Sequence, residues 1–176
     1  MGGVLRRPLS GEPLALDLLN TTWPDRGEQR DVFDEPGGVG AWLAERGIPD
    51  VPGVEGPLRH TRSVLRDVLE KSTVEAEHAL NAVLERGCLR PGLRQGAPED
   101  VIEVEQAAWR PAWLAAYDYL MLLRGRPERI KRCSAYPVCT LYFEDTTRNG
   151  TRRWCSMETC GNRAKAARHY RRGHSG

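Results

Sequence analysis

The chain has 176 residues and 19.7 kDa, of which 40% are hydrophobic and 28% charged. This composition excludes a disordered or fibrous protein and suits one ordinary domain with a small appendage, or two small domains. The net charge of +2 hides an asymmetry: residues 1–123 hold 13 Lys/Arg against 20 Asp/Glu, or −7, and residues 124–176 hold 13 against 4, or +9. The split points to an acidic body and a basic tail that either meets an anionic partner or docks on the body. The longest apolar run, near residues 112–123, contains Asp118 and is shorter than the roughly 20 residues a membrane span needs. Arg6 and Arg7 before LALDLLN mimic a signal peptide only weakly, because Asp17 interrupts the apolar stretch and no small-residue cleavage site follows. A cytoplasmic location and no membrane partner are expected.

In chain order, GEPLALDLLNTTW has an apolar face of Leu14, Leu16, Leu18 and Leu19 and reads as a short helix or strand packed into the body. GEQRDVFDEPGG reads as a loop, GVGAWLAERG as a short helix stopped at Gly47 with Trp42 and Leu43 inward, and IPDVPGVEGP as a second loop. From Leu58 the apolar positions Leu58, Leu65, Val68 and Leu69 recur at helical spacing. Thr73 is placed to cap a further helix with Ala76, Leu80, Val83 and Leu84 as its buried side, ended by Gly87. Cys88 stands alone and reads as a small buried hydrophobe. CLRPGLRQGAPEDVIEV is turn-rich, with VIEVE as a brief strand. The next helix starts near Trp109 with Pro111 in its first turn, shows Trp113, Leu114, Tyr117, Leu120 and Met121 on one face, and closes at Gly125 and Pro127.

The tail carries Cys133, Cys139, Cys155 and Cys160 in the pattern C-x5-C-x15-C-x4-C, within 28 positions. Two disulfides would suit a secreted chain; without a signal peptide the spacing favours one zinc ion held by four thiolates. CSAYPVC reads as a turn. TLYFED reads as a strand, Asn149-Gly150 as a hairpin signal, and TRRWC as the returning strand. CSMETC opens the helix GNRAKAARHYRR. Turn, hairpin and helix with ligands at its start is a treble-clef-like layout. A module this small depends on its metal for stability, and four sulfurs leave no position for a catalytic water, so the zinc reads as structural. Leu141, Phe143 and Trp154 read as a miniature core rather than as base-stacking rings. His169 and His174 are spare.

Lys165, Arg168 and Arg172 lie at i, i+3 and i+7 on the final helix, Arg163 and Arg171 flank them, and Arg152 and Arg153 come from the neighbouring strand. Such a cluster can neutralise several phosphates or reach guanine edges, so DNA is the expected partner. The alternatives are a solvated or protein-docking face, with part of the charge offsetting the −2 of a four-thiolate zinc site. In the body, Asp17 and Asn20 sit among leucines and need partners, for which Arg59, His60 and Arg62 are candidates. They form either a polar clasp for the N-terminal arm or, with Trp23, Trp109 and Trp113, the walls of a small-molecule pocket. No nucleophile–base pair, phosphate loop or two-carboxylate arrangement is visible, so no catalytic residue is assigned.

WCSMETCGNRAKAARHY, with CSAYPVC and LYFEDTTRNGTRR upstream, closely resembles the zinc-ribbon-like family named for its CGNR motif, here Cys160-Gly161-Asn162-Arg163. GEPLALDLLNTTW resembles the start of the mainly helical ABATE domain that precedes the CGNR module in bacterial proteins. The resemblance covers nearly the whole chain. It implies a stress-related transcription regulator with a DNA-binding zinc module, and carries the four ligand positions over to Cys133, Cys139, Cys155 and Cys160. Gly161 reads as permitting close approach to the metal ligand, and Asn162 as a helix cap or a donor to sulfur.

The expected architecture is therefore mainly α: a helical domain over residues 1–125, then a small α+β zinc module over residues 126–176 made of a β-hairpin and a C-terminal helix. The expected function is a zinc-containing DNA-binding regulator whose helical domain senses a small-molecule effector or pairs two copies as a homodimer. The alternative is a ligand-binding protein or enzyme with its pocket in the helical domain and a purely structural zinc.

Overall fold

The computed structural model describes residues 7–173; for residues 168, 169 and 171–173 it describes the backbone only. Contacts divide the chain into two compact units, one running up to Val32 and resuming at Leu122, the other from Phe33 to Met121.

The discontinuous unit opens with α1, Leu14–Leu19, whose residues Leu16, Asp17, Leu18 and Leu19 are buried. Strands β1, Thr22–Asp25, and β2, Glu28–Asp31, pair antiparallel around Arg26-Gly27. Both turn residues have positive φ, 51° and 88°, the two-residue geometry that matches strand twist. The segment read from sequence as a loop thus contains a strand, because the turn uses arginine where asparagine or aspartate is the usual signal. After Leu122 the chain makes a short 3-10 turn at Pro127–Arg129, then β5, Ile130–Arg132, and β6, Tyr142–Glu144, which pair antiparallel. A π-helical turn, Met157–Gly161, leads into α6, Asn162–Gly173. Helix α1 packs on β6.

In the continuous unit, α2 spans Gly38–Glu45 with Trp42 and Leu43 inward. Helix α3, Glu55–Lys71, starts three residues before the expected Leu58, since Pro57 is tolerated in a first turn whose N–H groups lack helical partners. It buries Leu58, Thr61, Arg62, Val64 and Leu65, while Val68 and Leu69 are half-buried. Ser72 bends the chain with φ 49°, and Thr73 caps α4, Val74–Leu84, by accepting from Ala76 N–H at 3.3 Å. Helix α4 buries Ala76, Leu80 and Val83.

Strands β3, Gly87–Arg94, and β4, Ala97–Val104, then form a long hairpin in place of the expected turn-rich stretch with one brief strand. Gln95-Gly96 makes its turn, again with two positive φ values. Most of this hairpin is exposed, which is why it lacks the apolar alternation that marks a strand in sequence. Cys88 lies on its exposed face, so it is not the buried hydrophobe that was expected. Helix α5, Arg110–Gly125, fully buries Ala112, Trp113, Ala115, Ala116 and Tyr119. The Trp113 Nε1–H donates to Leu84 O at 2.9 Å and its ring stacks on Tyr117. Gly87 fits beneath this ring: a Cβ there would meet Glu103 O at 2.7 Å and Trp113 Nε1 at 3.0 Å.

The architecture is mainly helical, with short hairpins and a final helix beside the cysteine cluster. No helix among the described residues is long and apolar enough to cross a membrane.

Candidate metal centre

The first cysteine pair sits at the tip of the β5–β6 hairpin. Cys133 N–H donates to Leu141 O at 2.9 Å, one step beyond the strand pairing, and Cys139 N–H donates to Ala135 O at 3.1 Å to close the knuckle between them. Ser134 N–H donates to Arg153 O at 2.8 Å, which brings in the segment bearing the second pair. Cys155 N–H then points at Cys133 Sγ, 3.5 Å away, and the π-helical turn presents Cys160 at the base of α6.

The expected hairpin across Asn149-Gly150 does not form; β6 pairs with β5 rather than with residues 151–155. Asp145, fully buried, captures the donors that a returning strand would use. It accepts from Thr147 N–H at 3.0 Å, Arg152 N–H at 2.8 Å and Lys131 Nζ at 2.7 Å. Arg129 holds the far side of the loop, donating to the carbonyls of Asp145, Thr147 and Arg148, with its guanidinium against Gly150. Burial raises the Asp145 carboxyl, but hydrogen bonds from Lys131, Thr147 and Arg152 outweigh it and hold the group well below the usual carboxylate range.

All four thiols are buried, unpaired by disulfides, with sulfurs within 4.8 Å of one another. The Cys139–Cys155 and Cys155–Cys160 Sγ separations are both 3.6 Å. A tetrahedron of zinc–sulfur bonds of about 2.3 Å has an edge of about 3.8 Å, so the donor set fits this ion; a disulfide, at about 2.05 Å, it is not. Hydrogen bonds from Cys139 and Cys155 hold the Cys133 thiol down to about 2. The same bonds to Cys133 push Cys139 up to about 12 and Cys155 higher still. Filling the site with four thiolates releases protons and brings negative charge together in a buried place, which a cation offsets. Four protein sulfurs close the coordination sphere. The cluster is a site for one structural zinc.

Two further residues fasten this site, and sequence reasoning gave them other roles. Asn20 donates through Nδ2 to Tyr142 O at 2.8 Å and accepts from Tyr142 N–H at 2.9 Å, acting as one more strand residue beside β6. Arg152 donates to the carbonyls of Glu144, Trp154 and Cys155, reaches Glu12 at 3.5 Å, and lies over the Phe143 ring. Gly161 is tight against Met157 rather than against the metal: a Cβ would meet Met157 Sδ at 2.6 Å. Asn162 donates to Glu158 O at 3.3 Å, one helical turn back.

Of the other basic positions, Arg153, Arg163 and Lys165 are exposed. The side chains of Arg168, His169, Arg171 and Arg172, and all of His174, lie outside the described residues. The pocket candidates fall in different units: Asp17, Asn20 and Trp23 in the discontinuous one, Arg59, His60, Trp109 and Trp113 in the other. Asp17 accepts from Arg7 at 2.8 Å, and Trp23 lines a small concavity of about 200 Å³ beside Cys139, Leu141 and Arg163. Arg59 pairs with Asp34 and Glu55 at 2.8 Å, and His60 meets Trp109 edge-on under the Arg86 guanidinium.

A helical protein ending in a closed four-cysteine zinc module defines the class. The chain belongs to the ABATE family, described as "Putative stress-induced transcription regulator", whose model matches residues 12–126; the CGNR zinc finger model matches residues 129–173. No curated protein matches the chain.

Proposed function

We propose that the protein is a DNA-binding transcription regulator whose zinc module is its DNA-contacting part. The observation that carries this reading is that Arg163 and Lys165 are exposed at the start of a helix whose base is pinned by a buried metal site. Such a helix presents cations at fixed positions, with little ordering left to occur on binding. Exposed Arg153 adds to the same module, and the +9 of residues 124–176 supplies the long-range attraction. Arg152, whose donors are engaged within the fold, serves as a brace in this reading. Duplex affinity measured against salt tests it. We expect a steep decline with rising salt and a weakening on R163A and K165A; a flat salt response rejects the reading.

For the helical unit we propose effector sensing or pairing of two copies. An open groove of about 590 Å³, lined by residues 33–56 with Glu35, Asp50 and Glu55 at its walls, supports the first. A single small module reads few bases, which supports the second. Sedimentation with and without DNA separates them: a monomer in both conditions removes pairing.

A further inference from the structure

The β1–β2 turn lies in the part of the chain matched by the ABATE model, yet it shares a groove with the zinc module. Residues 24–27, the knuckle residues Pro137 and Val138, and Arg163 line one concave surface of about 710 Å³, all within the discontinuous unit. Arg26 and Arg163 bring two cations to it. The carboxylates that flank the turn are paired with Arg30, Glu28 at 3.1 Å and Asp25, which also lines the groove, at 4.0 Å. Among the described residues neither the Arg26 nor the Arg163 guanidinium has a hydrogen-bond or ion-pair partner. Val138, also in the lining, is 61% exposed. Two guanidiniums without partners among the described residues, on a partly apolar concavity, match a phosphodiester: anionic oxygens for the arginines, a deoxyribose face for proline and valine.

We propose that this groove holds the DNA backbone and that Arg26 is a phosphate-contacting residue, so that the N-terminal hairpin and the zinc module form one composite DNA surface. The proposal rests on the DNA-binding reading above. The hairpin turn offers a clean test. Arg26 has φ 51° and precedes Gly27, the geometry in which asparagine is preferred. R26N therefore removes the charge while favouring the turn. R26K keeps the charge, and D25N removes the groove's own carboxylate.

In salt titrations of duplex affinity with the zinc-loaded full chain, R26N is expected to weaken binding about three- to tenfold and to flatten the log–log salt slope by about one phosphate contact. R26K retains most of the affinity and D25N raises it. If the unaltered chain binds duplex and R26N binds equally well with an unchanged slope, the groove proposal is overturned while the DNA reading stands. If R26K weakens binding as much as R26N, or if loss of affinity follows a lowered Tm, Arg26 is structural and the proposal is equally overturned. If the unaltered chain fails to bind duplex even at low salt, the underlying reading falls first.

Discussion

Within the unit from Phe33 to Met121, the interior is Trp42, Leu43, Leu58, Leu65, Val83 and Trp113, and its few buried polar groups sit on helices. The unit that runs to Val32 and resumes at Leu122 buries Leu16, Leu18, Leu141 and Phe143, but with them Asp17, Asn20, Asp145 and four thiols. Their charges differ as well: 9 Lys/Arg against 15 Asp/Glu in the first, 17 against 9 in the second. Apolar burial is non-directional and tolerates sliding, whereas hydrogen bonds and metal ligands demand positions. The helical unit is held by area; the basic one is held by placement.

This contrast is sharpest on metal removal. A chelator, or C155S, should unfold residues 129–173 and release α1 from β6, since structural zinc binding supplies about 10–16 kcal/mol in small modules. Hydrogen exchange should show α3 and α4 still protected; equal loss in both units would break the distinction. The converse is W42A, which should cost about 3–5 kcal/mol in the helical unit while leaving zinc stoichiometry unchanged. N20A strips both partners from the Tyr142 backbone and should cost about 2–4 kcal/mol in the basic unit alone, read by denaturant unfolding.

Asp145 adds a pH signature. Its folded pKa is depressed, so its contribution is present above the unfolded value of about 3.9 and is lost as pH falls from there through the folded value. Carboxyl NMR should find it titrating below the ordinary range, and D145N should remove that step of acid sensitivity. The smallest effect belongs to Gly161. Its crowding partner is the end of Met157, which is 50% exposed and free to move, so G161A should cost about 1 kcal/mol and be relieved by M157A.

The helices were legible because their apolar faces recur at 3.6 residues and their ends carry Thr73, Gly47 and Pro111 in the expected roles. The metal site was legible because four cysteines at short spacing admit few chemistries. The β1–β2 and β3–β4 hairpins escaped the sequence reading because they turn on Arg-Gly and Gln-Gly, weak signals, and the β3–β4 ribbon lies mostly in solvent, where no alternation is required. The Asn149-Gly150 pair misled for the opposite reason. It is a strong local turn, but Asp145 collects the donors nearby, and a buried charge with several partners outweighs a turn propensity. Nothing local marks Asn20 as the partner of a strand residue 122 positions away, and Arg152 reads as surface charge until its four acceptors are seen.

The pairing of Asn20 with Tyr142 also sets an order of events during synthesis. A ribosome adding about 5–20 residues per second needs roughly 6–24 s to travel between them. For that interval the leucines of α1 have no β6 to cover them, while the intervening helical segment, continuous in sequence, emerges whole. The basic unit is completed last, when the final cysteine leaves the exit tunnel and a zinc ion can be captured. Scarcity of that ion would leave a finished Phe33–Met121 unit while α1 and the cysteine segments stayed unmatched.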